Sequence, residues 1–277
     1  MEAAPKMLYR YLGNSGLRVS VMSYGTWLTA HEKDSEEAII KCVQKSYEHG
    51  VNFFDTAEIY GDGVAETILG KALKALPCER KDYVLSTKFI KCGNGVNDKM
   101  LGAKHISEGV NASLERMGVE YFDVIFCHRP DLATPLEETC RAMNKVINDG
   151  KAFYWATSEW TAARITKAVE ICRKFGWHEP IAEQCQYHML HRERFEKEYR
   201  DVYDFYGYGT TIWSPLAGGL LTGKYNEGVA PEGSRYKENA FVRDLVWVRY
   251  FGDEEKSAAT SKKLKALKAI ADDLGCS

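Results

Sequence analysis

The feature that most restricts this chain is its rhythm: short apolar runs alternate with longer helical patterns from one end to the other. A strand followed by a helix, repeated, builds a parallel sheet, because each crossover helix returns the chain to the same sheet edge. Candidate strands fall at Val21–Thr26, Asn52–Ala57, Val84–Phe89, Asp123–His128, Phe153–Ser158, Ile181–Gln186 and Thr210–Pro215. The helices between them fall at Ser35–His49, Ala65–Ala75, Lys104–Met117, Pro135–Asn148, Ala162–Phe175 and Arg192–Tyr206. A step of roughly 30 residues is one βα unit, not a solenoid repeat. Ahead of the first unit, Tyr9-Arg10-Tyr11-Leu12, the turn Gly13-Asn14-Ser15-Gly16 and Leu17-Arg18-Val19 read as a β-hairpin.

Boundary signals support these elements. Asp34-Ser35-Glu36-Glu37 places a cap and acids at a helix start, and His49-Gly50 ends that helix on glycine. Thr134-Pro135-Leu136-Glu137-Glu138 reads as a cap, a first-turn proline and acids, with Asn148-Asp149-Gly150 closing the helix. No linker rich in Pro, Gly or Ser divides the chain, which predicts one domain over residues 1–277. After the seventh strand come a loop, Gly218–Arg243, and a charged helical stretch, Asp253–Leu274. The predicted fold class is α/β, a (β/α)8 TIM barrel with an N-terminal β-hairpin. Its last strand and helix are expected to be absent from this chain, since the barrel takes one more βα unit.

Composition excludes several classes of function. The formal net charge is -2 and basic residues sit beside acids, as in Glu79-Arg80-Lys81-Asp82, so nothing favours nucleic acid or an anionic membrane. No apolar run approaches the ~18 residues a spanning helix needs, and Met1-Glu2-Ala3-Ala4-Pro5-Lys6 does not open a signal peptide. Eight scattered cysteines without a CxxC pair point to reduced thiols and a cytoplasmic protein, reaching a membrane only through a partner.

In a parallel barrel the C-terminal strand ends converge on one face. Those ends read Thr26-Trp27, Asp55, Lys88, His128, Ser158, Gln184 and Trp213-Ser214, with Tyr60 just beyond the second strand. Tyrosine, lysine, aspartate and histidine suit carbonyl reduction, in which hydride attack needs a proton delivered to the developing alkoxide. A free tyrosine with pKa about 10 is a weak acid near neutrality. A nearby lysine favours its anion, an aspartate keeps the lysine charged, and a neutral histidine can hydrogen-bond the carbonyl oxygen.

The stretch Phe53-Phe54-Asp55-Thr56-Ala57-Glu58-Ile59-Tyr60-Gly61, with Ser86-Thr87-Lys88-Phe89 and Cys127-His128-Arg129-Pro130-Asp131, resembles the aldo-keto reductase superfamily. Arg141-Ala142-Met143, Tyr154–Trp160, Glu183-Gln184, Tyr187-His188-Met189 and Trp213–Gly219 are similar, within it, to the β subunits of voltage-gated potassium channels. The resemblance runs from about Leu8 to the end. It implies Tyr60 as general acid, Lys88 and Asp55 as its tuning pair, and His128 as the residue orienting substrate. It implies NADP(H) as cofactor: Ser158 and Gln184 on the nicotinamide amide, and Trp213 stacked on the ring. Ser214, Pro215, Leu216, Ala217 and Lys224 are expected along the pyrophosphate, Arg235 near the 2′-phosphate, and Thr26 and Trp27 beside the cofactor.

His128 matches the plant-type β subunits, where animal ones carry asparagine. The resemblance implies a last strand and helix that grip the 2′-phosphate, and these are expected to be absent from this chain. The expected activity is NADP(H)-dependent reduction of aldehydes and ketones. The alternative is a regulatory subunit of a voltage-gated potassium channel that uses the cofactor as a redox sensor, with little turnover. Expected partners are a small carbonyl substrate, a channel α subunit and, by analogy, further copies in a tetramer. Gly61-Asp62-Gly63-Val64-Ala65-Glu66 lacks the third glycine of a doubly wound dinucleotide fold and follows the wrong strand. No metal site is expected at His188-Met189-Leu190-His191, which has no clustered acidic or thiol companions.

Overall fold

The computed structural model describes residues 6–27 and 36–276, which form two compact units. The first comprises Met1–Cys185 with Glu198–Thr211, the second Gln186–Lys197 with Ile212–Ser277.

In the first unit, β1 (Tyr9–Tyr11) pairs antiparallel with β2 (Arg18–Ser20) as the expected hairpin. The βα repeat follows: β3 (Tyr24–Gly25), α1 (Glu36–Glu48), β4 (Phe53–Asp55), α2 (Val64–Lys74), β5 (Val84–Phe89), α3 (Ala103–Met117), β6 (Phe122–Cys127) and α4 (Leu136–Asn148). It continues through β7 (Ala152–Ser158), α5 (Ala162–Phe175), β8 (Ala182–Gln186), α6 (Arg200–Tyr206) and β9 (Gly209–Trp213), with Gln186, Ile212 and Trp213 assigned to the second unit. The seven strands form one sheet in the order β3-β4-β5-β6-β7-β8-β9, with β3 to β8 pairing in parallel. That is the (β/α)8 pattern with seven of its eight strands among the described residues.

All six residues of β5 and of β6 are buried, as expected of parallel strands covered on both faces. The helices bury one stripe each: Ile39 and Val43 on α1, Ile106, Val110 and Met117 on α3, Ile165, Val169 and Cys172 on α5. Steps of three, four and seven residues keep those side chains on one helical face.

A core cluster joins Leu12 and Val19 of the hairpin to Phe53, Val84 and Ala182, the first residues of three strands. The hairpin therefore covers the N-terminal strand ends and leaves the C-terminal ends for chemistry. Its turn touches backbone directly: Gly13 has φ 58°, and a Cβ there would lie 2.4 Å from both the Gly209 amide nitrogen and the Ile181 carbonyl oxygen. Only glycine meets both conditions.

Several boundaries differ from the sequence reading. The strand expected at Val21–Thr26 pairs only at Tyr24–Gly25, because the Val21 amide donates to the Leu8 carbonyl (3.0 Å) and so extends the hairpin. The Asp34-Ser35 cap lies outside the described residues. Thr134 does not cap α4; Asp131 instead accepts from the Ala133 and Thr134 amides at 2.8 and 3.1 Å and shapes the approach. The helix expected over Arg192–Tyr206 is two pieces, a wide turn at Arg194–Glu198 and then α6, which starts after the buried Tyr199.

The second unit holds α7 (Arg235–Glu238), α8 (Ala240–Val242), α9 (Val248–Phe251) and α10 (Glu254–Asp273). Asp253 caps α10 by accepting from the Lys256 amide at 2.8 Å, with Glu254 and Glu255 in its first turn. The segment read as a loop, Gly218–Arg243, is folded around aromatic contacts. Ring centroids lie 5.0 Å apart for Tyr225–Tyr236, 5.4 Å for Tyr236–Trp247 and 4.2 Å for Trp247–Phe251.

Candidate active site

Strand register assembles the site. In β4 and β5, Asp55 lies opposite Ser86, and Lys88 follows two residues on, so both side chains point to the same face of the sheet. Lys88 is fully buried and its Nζ donates to Asp55 Oδ2 at 2.5 Å and to the Thr56 carbonyl at 2.6 Å. Burial pushes the Lys88 pKa down, but the Asp55 and Tyr60 oxygens outweigh it and leave it above the ordinary lysine value. The lysine therefore stays a buried cation near neutral pH.

Ser86 Oγ donates to Asp55 Oδ1 at 2.6 Å, and Gln184 Nε2 lies 3.5 Å from the same oxygen. Both carboxylate oxygens are thus occupied, which sets the carboxylate's orientation. Thr26, on the neighbouring strand end, donates its amide to the Asp55 carbonyl (3.1 Å) and its hydroxyl to Thr56 Oγ1 (2.9 Å). Trp27 follows it in sequence and is half-buried.

Tyr60 sits in the turn between β4 and α2. Lys88 Nζ lies 5.1 Å from its ring centroid, and the His128 ring meets it edge-on at 5.7 Å and 80°. A lysine at this position is expected to pull the phenol toward its anion. Lys88 does pull that way, but burial outweighs it and the phenol pKa lies above its ordinary value. Tyr60 accordingly keeps its proton until something basic forms beside it. His128 is buried, and burial followed by the Lys88 and Arg129 charges holds its pKa well below that of a free imidazole. Its ring is neutral near pH 7, and its Nδ1 has no hydrogen-bond partner among the described residues. A buried polar atom without a partner is rare and suits a ligand.

Ser158, the last residue of β7, is the register partner of Gln184 in the middle of β8. Ser158 Oγ accepts from Arg129 Nη1 at 3.1 Å, and Gln184 Nε2 also donates to Thr211 Oγ1 at 3.2 Å. These bonds leave the serine hydroxyl proton and the glutamine carbonyl to a ligand. One donor beside one acceptor is the complement of a carboxamide, so these residues fit a nicotinamide.

Three residues of the arrangement were not singled out as functional in the sequence reading. Ser86 orients Asp55, and Arg129 bridges the His128 carbonyl (2.6 Å) and Ser158. Both lie inside motifs whose neighbours drew attention, but no spacing rule marks them. The third is Glu183, fully buried. Its Oε2 accepts from Thr157 Oγ1 at 2.5 Å and its Oε1 from the Trp160 amide at 3.1 Å, so it clamps both sides of the Ser158-Glu159 turn. Glu159 takes φ 58° there. Burial pushes the Glu183 carboxyl up from 4.5 to about 8, with the Thr157 bond opposing and the Glu159 charge adding.

A raised folded-state value means the native protein binds more protons. Stability from Glu183 is complete below pH 4.5 and is lost as pH rises to about 8. Glu183→Gln keeps the shape and removes the titration. Thermal unfolding is expected to show the variant gaining stability on wild type between about pH 4.5 and 8, by up to a few kcal/mol, with no further gain above that range. Parallel pH curves for the two proteins would show that Glu183 does not titrate in that window.

The other expected cofactor residues lie in the second unit. Trp213 ends β9, and Ser214, Pro215, Leu216 and Ala217 lead into a tight turn at Ala217–Thr222. Ser214 and Ala217 take φ 52° and 51°, followed by Gly218 at 65° and Gly219 at 111°. Tyr236 Oη donates to the Ala217 carbonyl at 2.7 Å, tying α7, which begins at Arg235, to this turn. Lys224 lies on the same turn, with its side chain near Gly219 and its Nζ 5.3 Å from the Tyr225 ring centroid. Lys224 and Arg235 are both exposed cations on this folded segment.

The sequence agrees with the geometry. Residues 21–277 match the aldo/keto reductase family model. A "Probable voltage-gated potassium channel subunit beta" of Arabidopsis thaliana is 47% identical over 276 residues, 97% of this chain and 80% of that protein. One of the same name from Oryza sativa subsp. japonica is 47% identical over 98% of this chain and 80% of its own length. Aldo/keto reductases are in general NAD(P)H-dependent oxidoreductases. A parallel sheet of βα units, a lysine–aspartate pair beside a protonated tyrosine and a neutral histidine, and a family match over nearly the whole length lead to one conclusion: this chain belongs to the aldo/keto reductase family.

Proposed function

We propose that the chain reduces aldehydes or ketones to alcohols with NADPH, and that residues 1–277 act as one catalytic domain. The observation that carries this reading is the buried Lys88–Asp55 pair set against Tyr60, a tyrosine that holds its proton, and His128, a histidine that stays neutral. A bound nicotinamide dinucleotide supplies the hydride. Tyr60 donates its proton to the carbonyl oxygen as negative charge builds there. Lys88 stabilises the phenolate left behind, and Asp55, oriented by Ser86, keeps Lys88 in place. His128 donates a ring N–H to the same carbonyl oxygen and fixes the approach. This division of labour needs the tyrosine proton retained in the resting state and released only in the transition state.

In this reading Ser158 and Gln184 bind the nicotinamide amide, Trp213 stacks on its ring, and Thr26 and Trp27 line it. Ser214 to Ala217 with Lys224 line the pyrophosphate, and Arg235 meets the 2′-phosphate. Two cations on one folded segment favour NADPH over NADH, since the 2′-phosphate adds about two negative charges. Titration with each dinucleotide, followed by tryptophan fluorescence, tests this. Saturable quenching by NADPH, at least about tenfold tighter than by NADH, is expected, a difference of ~1.4 kcal/mol. Equal affinities would remove Arg235 and Lys224 from the site, and no quenching with the fold intact would remove the cofactor reading.

A second reading is favoured by the names of the relatives: a regulatory β subunit docked on the cytoplasmic side of a voltage-gated potassium channel, as a tetramer. None of the helices among the described residues is long and apolar enough to cross a membrane, which is compatible with attachment through a channel α subunit. Both readings use the same cofactor site, and in the second the cofactor's redox state is the signal.

A further inference from the structure

The turn that carries Tyr60 also carries Glu58, a fully buried carboxylate with no part in the proton delivery described above. Its backbone amide donates to the Lys88 carbonyl at 3.1 Å, and its Oε1 accepts from the Ile90 amide at 2.6 Å. Glu58 therefore ties the Tyr60 turn to the chain on both sides of Phe89. Its other oxygen, Oε2, lies 3.3 Å from Nε2 of His105 on α3, which is also buried.

The tautomer of His105 follows from its other contact. Nδ1 lies 2.7 Å from the Met100 carbonyl oxygen, which can only accept, so Nδ1 carries a proton. A neutral ring then presents a lone pair at Nε2 to a carboxylate oxygen. Both His105 Nε2 and Glu58 Oε2 are buried without a hydrogen-bond partner among the described residues. A single proton between them satisfies both atoms. We propose that Glu58 and His105 hold one buried proton between Oε2 and Nε2, and that this lock fixes the Tyr60 turn in register with Lys88.

Glu58 is then a positioning residue, acting on the reaction only through Tyr60; that half of the proposal rests on the reductase reading. Burial pushes the His105 pKa down, but the Glu58 hydrogen bond and charge outweigh it and leave it above the ordinary value. The other titratable groups acting on the pair sit on the segment before α3. They are Asp98, which also raises His105, and Cys92, whose thiol is pushed up by burial, against the lowering pull of Arg116 on α3, and further by Glu58. Loss of the proton at alkaline pH sets a lone pair against the carboxylate and loosens the turn. Turnover should therefore decline with rising pH at a point below the phenol range.

Long-range ¹H–¹⁵N NMR of the full chain reads the proton directly, with the His105 signal assigned by its absence in His105→Gln. The expected result is an Nδ1-protonated ring whose titration lies above that of a free imidazole and drops by about one pH unit or more in Glu58→Gln. An ordinary titration, unchanged in that variant, overturns the shared proton whether or not the protein is a reductase. For the positioning half, Glu58→Gln should lower kcat about tenfold with KM and NADPH affinity within about twofold. It should also abolish the alkaline decline. Unchanged kcat overturns the positioning role. Should Glu58→Gln fail to fold, His105→Gln decides: its amide donates to Glu58 at every pH, so the decline disappears, and its persistence overturns the lock. Wild-type protein that binds NADPH but turns over no carbonyl sinks the reductase reading and leaves the NMR result standing.

Discussion

Tyr60→Phe is expected to lower kcat about a thousandfold while the NADPH dissociation constant stays within about twofold. The phenol ring lies 5.1 Å from the Lys88 ammonium and meets the His128 ring edge-on at 5.7 Å. Burial keeps its pKa above the ordinary tyrosine value, so the proton is present throughout the neutral range. Removing one oxygen at a half-buried turn alters little of the packing, and His128 remains to orient the carbonyl. The residual rate then measures what positioning alone contributes. Stopped-flow and equilibrium titration on the same preparation separate the two effects, and a matched loss of cofactor affinity would make Tyr60 a structural residue.

Lys88→Met should abolish measurable turnover and also cost about 3–5 kcal/mol of stability. The lysine is buried along its whole length, so methionine fills most of the volume but leaves Asp55 Oδ2 and the Thr56 carbonyl without their donor. An uncompensated carboxylate in such surroundings is the expensive part. Adding Asp55→Asn removes that charge, and the double variant should recover part of the stability and none of the activity. Urea unfolding of wild type, both single variants and the double variant gives the coupling. Additive losses would show that the pair, despite its 2.5 Å separation, does not act as a unit.

The same two positions show how much of the site is legible in sequence. Asp55, Lys88 and His128 stand at the ends of runs such as Val84–Phe89 whose apolar residues mark buried parallel strands, and strand ends are where barrel chemistry gathers. Tyr60, on a turn just beyond the second strand, has no periodicity to mark it, and its role rests mostly on the resemblance. Ser86 and Glu183 are illegible for a different reason. Their roles depend on register: Ser86 lies opposite Asp55 across β4 and β5, and Glu183 reaches back to the end of β7. A single sequence gives the period of each strand but not the offset between strands.

The fold follows the same division. Strands buried on both faces, β5 and β6, were located to within a residue. The edge strand β3 was overestimated, because Val21 donates to the hairpin and not to the sheet. The helix expected from Arg192 breaks before α6, where the Tyr199 hydroxyl donates to the Trp160 carbonyl at 2.5 Å. A buried anchor of that kind overrides local helical periodicity, and it is invisible until the tertiary contact is known. In the second unit the charged composition of Gly218–Arg243 suggests an open loop, whereas Tyr225 and Tyr236 pack on each other and on Trp247 beyond it.

The most direct test of the central claim is a single-turnover experiment. The chain is loaded with NADPH, mixed with an aromatic aldehyde, and followed by the absorbance of the reduced nicotinamide. The expected result is a decay whose rate saturates with aldehyde, yields stoichiometric alcohol and slows about a thousandfold in Tyr60→Phe. NADPH that stays bound and unoxidised at saturating aldehyde would contradict it.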